Sequence, residues 1–73
     1  MIKITNAINI YSDLNDWIDF VILVDDEQLI RASGLVKLYY DAWFDSDSDE
    51  TIAEYISNGL SKYKIEHEIY FRG

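Results

Sequence analysis

The chain has 73 residues, 14 Asp/Glu against 6 Lys/Arg, and a formal net charge of −8, yet 49% of it is hydrophobic and 15% aromatic. That size fits one domain spanning residues 1–73 with a single core, worth about 3–5 kcal/mol net without covalent help. There is no cysteine, which excludes disulfides and thiolate metal sites, and the excess of acid is the wrong sign for phosphate or for an anionic membrane.

Residues 2–10 alternate. Ile2, Ile4, Ile8 and Ile10 fall on one side, Lys3, Thr5 and Asn9 on the other, the pattern of a half-buried strand. Asn6 interrupts the apolar side. Residues 12–16 read as a turn, Ser-Asp-Leu-Asn-Asp. Residues 17–24 form a second strand, apolar on both faces: Ile18, Phe20, Ile22 and Val24 on one, Trp17, Val21 and Leu23 on the other. Such a strand belongs in the middle of a sheet.

Asp25 or Asp26 is placed to cap a helix running to about Phe44, with Leu29, Ala32, Val36 and Trp43 at helical steps. The alternative puts residues 28–33 in a third strand, with the helix starting near Gly34. Residues 45–49 form a loop in which Asp47, Ser48 or Asp49 can cap a second helix over residues 50–62, striped by Ile52, Ile56, Leu60 and Tyr63. Residues 65–72 alternate again as a last strand. The order is β-β-α-α-β. The fold class expected is α+β, a three-stranded antiparallel sheet with two helices packed on one face.

The chemistry-bearing residues are few. His67 is the one histidine and sits among inward-facing strand positions, the setting of a structural histidine. With no cysteine, no nucleophile–base set and no glycine-rich phosphate loop, no enzyme activity and no cofactor are expected. Asp45, Asp47 and Asp49 alternate like the start of an EF-hand loop, but Glu50 stands where its glycine belongs and Ile56 where its bidentate Glu belongs. No metal site is expected.

Partner binding is left. Asp41, Asp45, Asp47, Asp49, Glu50 and Glu54 crowd a stretch without Lys or Arg from residue 38 to 61. Asp41 with Asp45, and Glu50 with Glu54, have the spacing of one helical turn, about 5–6 Å, close to the phosphate repeat of a nucleic-acid strand. Tyr40, Phe44 and Tyr55 interleave with these acids. A helix cannot bury Tyr39, Tyr40, Trp43 and Phe44 together, so aromatics are expected on the surface beside carboxylates, as at protein-binding hot spots. Asp13, Asp16 and Asp19 form a second acidic patch. The natural partner is a basic protein surface. The same aromatics offer the alternative of a homodimer, and aromatic contacts or pairing at a sheet edge would serve an interaction or assembly module.

The segment Tyr40-Asp-Ala-Trp-Phe-Asp-Ser-Asp-Ser-Asp-Glu-Thr-Ile-Ala-Glu-Tyr-Ile, with the hairpin before it and the strand after it, resembles small acidic proteins of bacteriophages and mobile elements. Among these are anti-CRISPR and anti-restriction proteins, several of them nucleic-acid mimics. The resemblance implies an inhibitor that occupies the basic groove of a host nuclease or another defence protein. The first eleven residues lack the basic start and apolar run of a signal peptide, and no run approaches the about 18 apolar residues that span a bilayer. The bacterial cytoplasm is therefore the expected location.

Overall fold

A computed structural model describes residues 6–14, 18–47 and 49–72. The expected strand at residues 2–5, the turn at 15–16, Trp17 and the capping role of Ser48 lie outside them. The elements are β1 (Asn6–Tyr11), β2 (Asp19–Val24), α1 (Leu29–Phe44), α2 (Ile52–Lys62) and β3 (His67–Phe71). The sheet is antiparallel with β2 in the middle, as its two apolar faces require.

The register places Ile8 opposite Ile22 and Ile22 opposite Ile69, with Ile10, Phe20 and Phe71 in the next row. This face packs against both helices. Phe20, Ile22 and Val24 are buried with Ala32 and Val36 of α1 and with Ile52, Ile56 and Leu60 of α2. The opposite face, bearing Asn9, Tyr11, Val21, Leu23 and Tyr70, has no covering layer among the described residues. Across it the Arg72 guanidinium donates to Asp19 Oδ1 at 2.9 Å and to Asn9 Oδ1 at 2.6 Å. This ties the end of β3 across β2 to β1.

Residues 28–33 are helical, which overturns the third-strand alternative. The cause is local. Asp25 Oδ1 accepts the Glu27 N–H at 2.8 Å and the Gln28 N–H reaches Asp25 O at 3.0 Å. The resulting 3-10 turn, Asp26–Gln28, winds directly into α1. Gly34 sits on the outer side of α1 with open space around it, so it costs only its propensity.

The second helix starts later than expected. Neither Asp47 nor Asp49 caps it. Thr51 does, its hydroxyl accepting the Glu54 N–H at 3.2 Å. A tertiary bond lies just before it: the Trp43 indole N–H donates to Glu50 O at 2.8 Å, fixing the chain ahead of Thr51, whose own backbone is extended.

At its other end α2 closes in a Schellman turn. Ile65 N–H bonds Leu60 O, Lys64 N–H bonds Ser61 O, and Lys64 takes φ 59°. Both Leu60 and Ile65 are buried, supplying the apolar contact that accompanies this motif. Tyr63, expected in the apolar stripe, is turned out instead and lies under the Arg31 guanidinium at 5.9 Å. A left-handed lysine carries a steric cost that glycine lacks. Lys64→Gly is therefore expected to raise stability by about 1 kcal/mol in urea denaturation, after allowing for glycine's greater freedom when unfolded.

Gly59 is buried where α2 crosses α1. A Cβ there would overlap the Tyr39 ring, and that ring is held edge-on to Tyr55 at 5.7 Å. Gly59→Ala forces Tyr39 to move. The expected cost is about 1–3 kcal/mol, read as a lowered urea midpoint, although alanine is the better helix former.

Candidate functional site: an acidic, aromatic end of α1

The last turns of α1 bring part of the expected set together. Asp41 and Asp45 are one turn apart, both exposed, and Asp45 is the C-cap residue, its N–H bonded to Ala42 O at 3.2 Å. No basic residue occupies this last turn. The helix end carries the negative pole of the dipole, so two carboxylates there concentrate negative potential instead of neutralising it.

Phe44 stands beside them, 50% exposed. Its ring centroid lies 5.1 Å from that of Tyr40 and 5.1 Å from that of Trp43. Tyr40 and Trp43 are half-buried and packed on the core, so Phe44 rests on an aromatic floor. Ser46 fastens the following loop back onto the helix, both its N–H and its hydroxyl reaching Trp43 O. Asp47 and Asp49 project from this loop, exposed.

The remaining expected residues are placed differently. Glu50 lies before α2, so Glu50 and Glu54 do not form the expected row of carboxylates on that helix. Glu50 is half-buried and its carboxylate accepts the Asn58 amide at 3.0 Å. Glu54 is exposed in the first turn of α2. Tyr55 is half-buried against Tyr39 and serves the helix–helix contact. A phosphate-like spacing along one helix therefore survives in Asp41 and Asp45 alone. Of the second patch, Asp13 is exposed, Asp19 is engaged by Arg72, and Asp16 lies outside the described residues.

Trp43 is the residue of this site that sequence reasoning assigned to the core only. It also fixes the loop through Glu50, and no sequence spacing announces that bond.

His67 lies apart from this surface. Its Nδ1 is 2.9 Å from Ile65 O and its Nε2 is 2.7 Å from Ser57 Oγ. A carbonyl can only accept, so Nδ1 carries the proton and Nε2 accepts from the serine hydroxyl. Both nitrogens are engaged, and the ring links β3 to α2. Among the described residues no three His, Asp or Glu side chains converge to hold a metal ion, and no helix is long and apolar enough to cross a membrane.

Compared with protein-family models, curated proteins and solved structures, the chain matches none. What this surface can do chemically follows from its own residues. It offers long-range attraction for cations and, at its centre, an apolar ring whose remaining exposure can be desolvated.

Proposed function

We propose that the chain is a non-enzymatic inhibitor from a phage or mobile element. It binds a bacterial defence protein, a CRISPR or restriction nuclease or a similar enzyme, in the host cytoplasm. The observation that carries this reading is Phe44, half exposed on the Tyr40–Trp43 floor beside Asp41 and Asp45 at a helix end without a basic residue. What distinguishes Phe44 from the other exposed apolar side chains is its setting, packed against two aromatic rings beside two carboxylates. Aromatic anchors ringed by charge are the composition of binding hot spots.

In this reading Asp41, Asp45, Asp47 and Asp49 meet Lys and Arg of the partner, with Glu54 at the rim. Phe44 supplies the desolvated anchor, and Tyr40 supports it. The charges set the on-rate and the salt sensitivity, the aromatics the residence time. Mimicry of nucleic acid rests on the Asp41–Asp45 pair and on the resemblance of the sequence to anti-defence proteins. The partner is a protein, with neither nucleic acid nor membrane bound directly, and no cofactor takes part.

Affinity capture tests this. Tagged protein is immobilised, exposed to bacterial lysate at low salt and washed at high salt, and retained proteins are identified by mass spectrometry. A nuclease or helicase released by salt is the expected result. A partner that survives high salt points to an interaction module that binds by aromatic contact. No retained partner removes the proposal.

A further inference from the structure

The core accounts for one side of α1 only. On the side opposite buried Ala32 and Val36, the residues Ile30, Gly34 and Leu38 follow one another at single helical turns. Ile30 is 90% exposed and Leu38 61%. Gly34 between them is exposed, and a Cβ there would meet nothing within 4 Å. The row is an apolar ridge with a notch at its middle.

This ridge is unfavourable for the chain alone. Glycine inside a helix is worse than alanine, and no neighbour in the fold requires it here. Exposed aliphatics standing singly need no account. Two of them flanking a glycine in one row have the form that a crossing helix needs, because its own side chains can enter the notch and bring the two backbones close. The same outward face continues into Asp41 and Asp45, both exposed, with no basic residue in that last turn. The two cations of α1 sit on its flanks, Arg31 over the Tyr63 ring and Lys37 beside the groove lined by Ile8 and Ile10. The outward face is therefore apolar over its first turns and acidic over its last.

We infer that this face receives an amphipathic α-helix of the partner protein, its apolar stripe seated on Ile30, Gly34 and Leu38 and its Lys or Arg residues at the end that meets Asp41 and Asp45. Charge complementarity selects the occupant. A second copy of this chain, with net charge −8, would bring acid to acid. Nucleic acid and anionic membranes have the same wrong sign. An extended segment finds no free backbone groups along a helix, whereas a helix brings its own hydrogen bonds complete. The inference rests on the acidic end of α1 being an interface, and it adds the form of the segment that this interface takes.

The test uses the full chain and two synthetic peptides of identical composition, built of leucine, alanine and lysine. In one the leucines recur at helical spacing and the lysines gather toward the N-terminus, so that they and the positive pole of the peptide's dipole reach Asp41 and Asp45 together. In the other the order is scrambled. Titration calorimetry reads the affinity and NMR shifts read the contact. The helical peptide is expected to bind several-fold more tightly than the scrambled one and to shift Ile30, Gly34 and Leu38. Gly34→Gln fills the notch with a better helix former. It is expected to raise the urea midpoint of the protein and to weaken the helical peptide about tenfold. Should that variant not fold, Ile30→Gln takes its place with the same loss of affinity expected. Equal binding of the two peptides, no binding of either, or an affinity unchanged in the variant overturns the inference. An affinity unchanged in Asp41→Asn/Asp45→Asn, with the Gly34 variant still weakened, instead removes the acidic-end reading on which the inference rests.

Discussion

Replacing Asp41 and Asp45 together by lysine is expected to abolish partner binding and at the same time to stabilise the fold. Each reversal adds two positive units, so the formal net charge of −8 becomes −4, with the whole change placed at the end of α1. Against a basic surface the new charges are repulsive, and like-charge juxtaposition at an interface costs several kcal/mol. Loss of steering slows association further. The folded chain responds the other way. Both aspartates sit where the helix dipole disfavours them and no basic residue offsets them, and lysine there gains about 0.3–1 kcal/mol per site. Titration calorimetry with the captured partner, paired with urea denaturation of the isolated protein, separates the two effects. Lost binding with a raised urea midpoint marks residues kept for binding at some expense of stability. Unchanged affinity would remove the acidic end of α1 from the interface.

Phe20→Ala is expected to unfold most of the protein at room temperature. Phe20 is 1% exposed on the central strand, on the face that meets both helices, and its ring lies 5.6 Å from that of Phe71. Truncating a buried phenylalanine costs about 3–5 kcal/mol, and one small core without disulfides supplies about the same net stability. Far-UV circular dichroism and a urea titration check this. A cooperative transition with less than about 1 kcal/mol lost would show that the core can collapse around the cavity.

The parts of this fold legible in the sequence are those set by burial alone. Apolar residues on both sides of 18–24 belong to a central strand in any compact arrangement, and the Ile52, Ile56 and Leu60 stripe can face only the core. The illegible parts depended on competing local bonds or on contacts far apart in the chain. Asp47, Asp49 and Thr51 are all competent caps, and the one used is the last, just past the Trp43 indole bond to Glu50. Tyr63 fits the stripe by spacing, but the left-handed Lys64 ends the helix beside it and leaves the ring at the surface.

The candidate site divides in the same way. Charge has to be on the surface in any fold, so the exposure of Asp41, Asp45, Asp47 and Asp49 could be foreseen. Which acids share a helix could not, because it depended on where α2 begins. The same holds for the aromatics. Crowding around one helix axis implied that some ring must be exposed, and the structure makes it Phe44, while Tyr55 is claimed by Tyr39.

The most direct measurement is the affinity for the captured partner as a function of salt, for the unaltered protein and for the Asp41→Asn/Asp45→Asn pair. Asparagine keeps the shape and removes the charge. Exposed charges are screened over about 10 Å at 0.1 M salt, so binding through this face should weaken steeply for the unaltered protein and along a shallower slope for the pair. Equal slopes, or an affinity indifferent to salt, would contradict binding through the acidic end of α1.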